Sequence, residues 1–281
     1  MAERPELTQA SARKALGQHF LFDPDILRRT ALAAGAVEGR DVIEVGPGPG
    51  GLTRALLDAG ARTLTCVEAD QRFAAALNLW PEAREGRLSV IQHDARKVDW
   101  ARLKTVAEAD RPVMIIANLP YNVGTPLLIN WLKAGPWRGE MALMFQKEVA
   151  LRTCAKPGDP NYGRLAVLTA GVCDAALSFT LPPGAFRPPP KVDSAVAVFR
   201  PLSPEKRFKN IAALEKVATA AFGQRRKMLR AALKSLAKTV RLNPVQWLES
   251  CNIDPTARAE TLNQEAFRAL AEKFGEAEGC A

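Results

Sequence analysis

Val113-Met114-Ile115-Ile116-Ala117-Asn118-Leu119-Pro120-Tyr121 is the stretch that decides how this chain is read. The apolar run rich in β-branched residues predicts a buried strand, and it delivers Asn118 to the end of a sheet, where open α/β folds bind ligands. Pro120 fixes φ and cannot continue a ladder, so the backbone turns there and holds the Leu119 carbonyl and the Tyr121 ring in a set relation. An amide, a carbonyl and an aromatic face make a pocket for a planar amine such as adenine. The exocyclic nitrogen of adenine is a poor nucleophile. Two acceptors, the Asn118 side-chain oxygen and the Leu119 carbonyl, would take its N–H bonds and free the lone pair. Tyr121 would stack on a base taken out of its helix. Taken alone, the tetrapeptide fits an ordinary strand-to-turn junction better than any single chemistry, so the rest of the chain has to decide.

Outward from this strand, further strands and helices alternate. Asp23 and Pro24 are an N-cap and a first helical residue, and they predict a helix to about Ala34. Asp41–Val45 reads as a strand, 46–51 as a glycine-rich turn and 52–59 as a helix. A strand from Thr63 ends at Glu68, a helix follows over 71–79, and a third strand over 88–92 ends at His93-Asp94. The strand to Asn118 is the fourth, and 141–145 is a fifth after a helix over 126–133. This spacing argues a parallel, doubly wound sheet. Helices are expected over 147–154 and 164–171, then a closing antiparallel pair over 175–181 and 194–199. Pro201-Leu202-Ser203-Pro204 punctuates the chain. The boundary is therefore placed after residue 203, with an α/β domain and an N-terminal arm over 1–203 and a helical, RNA-contacting domain over 204–281. The arm, with Gly17-Gln18-His19-Phe20-Leu21-Phe22, is expected to pack its aromatics, over a ligand or elsewhere.

The composition is that of a folded chain of 281 residues, 47% hydrophobic and 25% charged. It excludes a disordered or fibrous protein. Five scattered cysteines without a C-x-x-C pair and two histidines suggest neither a disulfide framework nor a metal centre. No stretch approaches a membrane span, and a reducing cytoplasm is the expected compartment. Between Glu205 and Trp247 stand eleven Lys or Arg against two Glu, a net charge of +9 that equals the excess of the whole chain. A polyanion bound through the C-terminal region is the simplest inference. There Arg226, Arg230, Lys234 and Lys238 recur every fourth residue beside a stripe of Leu229, Leu233, Leu236 and Val240, which predicts one helix with a packed face and a basic flank.

Gly46-x-Gly48-x-x-Gly51 matches a dinucleotide fingerprint, and Glu68 ends the next strand, where it can accept from ribose hydroxyls. The motif alone suits a pyrophosphate or the carboxylate of a methionine moiety. Asp94, placed to accept from an adenine amino group, and Asn118 at the next strand end favour S-adenosyl-L-methionine over a nicotinamide. Glu44 would either support the ammonium end of that donor or order the loop.

The ordered set Gly17-Gln18-His19-Phe20-Leu21, Glu44-Val45-Gly46-Pro47-Gly48, Asn118-Leu119-Pro120-Tyr121-Asn122, Gln146-Lys147-Glu148-Val149, Tyr162-Gly163-Arg164-Leu165, the run from Phe186 to Ser194 (FRPPPKVDS) and Gln224-Arg225-Arg226-Lys227 resembles the small-subunit (16S) ribosomal RNA adenine dimethyltransferase family. The likeness runs from about residue 13 to about 262. It implies an α/β, Rossmann-like class I methyltransferase sheet with a small all-helical C-terminal domain. It also implies transfer of four methyl groups from S-adenosyl-L-methionine to N6 of two adjacent adenosines near the 3′ end of the small-subunit RNA. By the same resemblance, His19, Leu21, Gly46, Gly48, Glu68, Asp94 and Asn118 bind the donor. Asn118, Leu119, Pro120, Tyr121 and Phe186 hold the target base, the last as an exposed ring on a stiff proline loop. Arg225, Arg226 and Lys227 contact RNA phosphates. His19 departs from the pattern, since the family usually has Asn there. The implied partner is ribosomal RNA in the small subunit or its precursor, met by a monomer with no membrane or metal. A large-subunit adenine methylase and a non-catalytic assembly factor are the competing readings. The proline loop and the Gln-Arg-Arg-Lys segment count against the first, and intact Glu68, Asp94 and Asn118 against the second.

Overall fold

The computed structural model describes residues 18–224 and 226–279. Residues up to Ala150 together with Ala176–Arg200 form one compact unit, and Leu151–Ala175 with the residues from Pro201 onward form a second. A single cut after residue 203 misses that 151–175 belongs with the C-terminal helices. The reason lies in Tyr162 and the helix that follows it. The Tyr162 hydroxyl donates to the Leu262 carbonyl at 3.1 Å, its ring meets Phe222 edge-on, and the Gln264 amide donates to the Val167 carbonyl.

The strands are β1 (Phe20–Leu21), β2 (Asp41–Val45), β3 (Thr63–Glu68), β4 (Leu88–Gln92), β5 (Val113–Asn118), β6 (Arg138–Gln146), β7 (Cys173–Leu181), β8 (Phe186–Arg187) and β9 (Ser194–Pro201). Among the described residues, seven of them form one sheet in the order β4-β3-β2-β5-β6-β9-β7. β4, β3, β2, β5 and β6 run parallel, and β9 turns antiparallel on β6. Strands covered on both faces must be apolar throughout, and β2 is buried along its whole length and β5 up to Ala117. Asn118 is the first residue of β5 to reach partial exposure. The expected closing pair is there as neighbours at the edge of the sheet, with β9 lying between β6 and β7.

The first helix spans Pro24–Leu32, with the Asp23 carboxylate accepting from the amides of Asp25 and Ile26. Pro120 cannot extend β5. Its carbonyl instead accepts from Val123 and Gly124, opening the helix Gly124–Lys133 two residues earlier than the Pro126 expected from sequence. β1 and β8 form a separate two-stranded ribbon, in which Leu21 faces Phe186. The sequence gives no sign of this ribbon, because each strand is two residues long.

The second unit packs the helices Arg164–Ala170, Ile211–Gly223 and Gln264–Gly279 around Phe222, stacked on Phe267, and Trp247, tilted on Phe274. The one basic helix expected after Gly223 is instead two short ones, Leu229–Ala232 and Lys234–Thr239. The first starts only at Leu229 because the Leu229 and Arg230 amides are bonded by the carbonyls of Ala257 and Pro255. Arg226 and Lys227 therefore lie in an exposed turn ahead of it, while Arg230, Lys234 and Lys238 remain exposed on the helices. Leu229, Leu233 and Val240 are buried as the apolar stripe requires.

Candidate active site

The sheet order places four strand tips side by side: Asp94 just beyond β4, Glu68 closing β3, Gly46 just beyond β2 and Asn118 closing β5. The direction of winding reverses between β2 and β5, and a crevice at such a switch point is where open sheets bind ligands. A cavity of about 220 Å³ opens there, lined among others by His19, Leu21, Gly46, Gly48, Glu68, Asp94 and the residues from Asn118 to Tyr121. Every donor-site residue named from the sequence is in this lining.

Gly46 and Gly48 have φ of 68° and 53°, a left-handed backbone that side chains rarely adopt. A Cβ on Gly48 would also come within 2.8 Å of the Phe20 ring. The loop is shaped by Glu68, which accepts from the Gly48 amide at 3.0 Å and from the Asp70 amide at 2.8 Å. Each oxygen keeps a lone pair for a ribose hydroxyl. Burial pushes the Glu68 carboxyl above its usual range despite these bonds.

Glu44, only 1% exposed, accepts from the Thr53 hydroxyl at 2.7 Å, with the Cys66 thiol at 3.5 Å. Burial raises its carboxyl to about 8. Of the two readings of Glu44, the contact with Thr53 on the helix Gly51–Asp58 supports ordering of the loop and helix start. Its place in the cavity lining leaves it within reach of a cationic ligand group.

Asp94 differs from both. Its carboxylate oxygens accept from Arg96 Nε at 3.0 and 3.2 Å, from Arg96 Nη2 at 2.6 Å and from the Arg96 amide at 3.0 Å. These bonds hold the Asp94 carboxyl at about 2. Three N–H donors of Arg96 occupy the carboxylate, with Nε shared between its oxygens, which leaves one acceptor position of Oδ2 for a further donor such as an adenine amino group. The local signal for this pairing is Asp94-x-Arg96 just after the strand end.

At the other end of the cavity, the Asn118 amide nitrogen donates to the His19 carbonyl at 3.1 Å, which fixes Oδ1 as the free acceptor. The Tyr121 hydroxyl bonds Ser194 Oγ at 2.6 Å, and burial raises its phenol. Ser194, the last residue of the FRPPPKVDS motif, thus positions the ring; Gln146 pairs with it across β6 and β9, and Lys147 Nζ donates to Asp193 at 3.2 Å. One expectation needs correction. Phe186 is 2% exposed, because pairing with Leu21 turns it into the core; it presents no exposed face. The His19 side chain bonds the Pro188 carbonyl through Nδ1 at 2.8 Å and stacks on Tyr121. Of the three basic residues expected to meet RNA, Arg225 lies outside the described residues.

The ribosomal RNA adenine dimethylase family model matches residues 9–275. The chain belongs to that family. Proteins named ribosomal RNA small subunit methyltransferase A are similar to this dimethylase along nearly its whole length. The one from Caulobacter vibrioides is 50% identical over 92% of this chain and 96% of the relative. Those from Sinorhizobium medicae and Gluconobacter oxydans are 50% and 49% identical, covering 92% and 93% of this chain and 92% and 82% of theirs. Among solved structures, a dimethyladenosine transferase from Plasmodium falciparum superposes with a TM-score of 0.75 at 26% identity, covering 92% of this chain and 98% of that one. The 23S rRNA methyltransferase ErmE, at 23% identity and a TM-score of 0.65 over 91% and 99%, shares the fold. The dimethylase is thus a class I methyltransferase enzyme whose methyl donor is S-adenosyl-L-methionine. The glycine cradle, closed to any Cβ at Gly48, and the buried Glu68 carboxylate beside it fit such a donor. No helix among the described residues is long and apolar enough to cross a membrane.

Proposed function

We propose that this chain, as a cytoplasmic monomer, dimethylates N6 of two adjacent adenosines in the 3′-terminal hairpin of small-subunit ribosomal RNA, in the subunit or its precursor. The observation that carries the reading is the oriented Asn118 amide, its nitrogen committed to the His19 carbonyl and its oxygen free, in the same cavity as the glycine cradle and Glu68. S-adenosyl-L-methionine, when bound, supplies an electrophilic methyl group. Gly46, Gly48 and Leu21 would shape its seat, Glu68 would take the ribose hydroxyls, and Asp94 the adenine amino group.

The chain's own work is at the target base. Asn118 Oδ1 and the Leu119 carbonyl accept from the amino hydrogens and leave the nitrogen lone pair exposed. Pro120 keeps these acceptors in fixed relation, and Tyr121 holds the ring by its face. No strong base is needed, since the acceptors favour a pyramidal nitrogen. Arg226 and Lys227, in their exposed turn, take phosphates as point charges, and Arg225 is assigned with them.

Mass spectrometry of ribosomal RNA from cells lacking the gene tests the reading. Loss of a neighbouring dimethyladenosine pair, restored by the wild-type gene, is the expected result. Persistence of the pair would refute it.

A further inference from the structure

With Phe186 turned into the core, the base pocket lacks the second aromatic face assigned to it. Of the other rings that line the cavity, Phe20 sits edge-on to Phe73 and against Gly48, and His19 is the one stacked on Tyr121. His19 lines the same cavity, and its imidazole lies 5.4 Å from the Tyr121 ring, centroid to centroid, with 29° between the planes. We propose that His19 is the second face of the target-base pocket: its imidazole stacks on Tyr121 in the place the flipped adenine takes, and the base enters by parting the two rings. The inference rests on the reading that the base binds at Asn118–Tyr121.

Two features support this. Admitting a ring between the two takes two contact layers of about 3.5 Å each in place of one, so the imidazole must swing away by about the thickness of one ring. The backbone at His19 does not have to move. Its carbonyl is bonded by Asn118, and the next two residues are fixed in register with Arg187 and Phe186, so the ring can swing about its own side-chain torsions. What restrains the swing is one bond, from Nδ1 to the Pro188 carbonyl, and it is exposed, so giving it up to water costs little. Asn118 and Tyr121 are thereby linked through one residue: the carbonyl of His19 aims the acceptor, and its ring covers the face beside it.

The experiment uses the full-length protein and two RNA hairpins, the natural one for kinetics and one carrying 2-aminopurine at the target adenosine, whose emission is quenched by stacking, for fluorescence. In the wild-type complex the flipped base should be quenched between two rings. His19→Ala should raise the bound-state emission and raise KM for RNA roughly tenfold, the value of one stacked base, with donor affinity by calorimetry nearly unchanged. His19→Phe, which keeps a ring and removes the Pro188 bond, should restore the quenching and the KM. It also guards against a merely misfolded alanine variant. The proposal is overturned if His19→Ala leaves emission and KM unchanged, if it lowers KM, or if alanine and phenylalanine both weaken donor binding instead. Should Tyr121→Ala leave both the bound-state emission and the KM at the wild-type values, the base-pocket reading falls, and this inference with it.

Discussion

The two ends of the cavity are built in opposite ways. At the donor end the shape comes from backbone: left-handed glycines, and amides of the loop held by the buried Glu68 carboxylate. At the base end it comes from side chains of distant segments, with His19, Asn118, Tyr121, Pro188 and Ser194 bonded or stacked on one another. Backbone donors around a buried charge cannot rearrange cheaply, whereas exposed side-chain contacts can. On the proposed reading the donor end is preformed, and at the base end the exposed bond from His19 to Pro188 is the contact the substrate would replace.

The comparison is broken most directly at Asn118. Asn118→Ala removes an acceptor that matters most as the new bond forms, and turnover should fall on the order of 10²- to 10³-fold while RNA affinity stays nearly intact. Single-turnover rates with binding by anisotropy measure both, and activity near the wild-type level would show that the base end is placed elsewhere. Next comes Glu68→Gln. Its amide opposes one of the two loop N–H groups, and donor affinity should drop roughly 10- to 100-fold in calorimetry. Unchanged affinity would mean that the glycine loop stands without the carboxylate.

Glu44 sharpens the contrast through pH. Its folded carboxyl sits at about 8 against 4.5 for the free group, so the native state binds the extra proton. Its contribution is complete below about 4.5 and is lost as pH rises towards 8, with a slope of at most about 1.4 kcal/mol per pH unit. Denaturant melts should show stability declining over that window, and Glu44→Gln should flatten the decline. A decline of the same steepness in the variant would assign it to another group. The smallest effect is expected in the second unit. Lys227→Ala should weaken RNA binding a few-fold and lower the salt slope by about 1. An unaltered slope would remove Lys227 from the phosphate contacts.

The chain's own periodicities determined the parallel sheet, its strand ends and the residues Gly46, Glu68, Asp94 and Asn118, because each is a local consequence of a buried strand ending at a polar or glycine residue. Only the tertiary structure decided what those residues touch. Phe186 and Leu21 lie 165 positions apart, and nothing local in either says that they pair and turn a loop aromatic inward. The bonds from Asn118 to the His19 carbonyl and from Tyr121 to Ser194 likewise join segments about 100 and 73 positions apart. Where 151–175 packs was settled by long-range burial of Tyr162, whose partner carbonyl stands 100 residues on. Periodicity records which face of an element is apolar; which distant face covers it is chosen by packing, and in this protein that choice shapes the cavity around Asn118 and Tyr121.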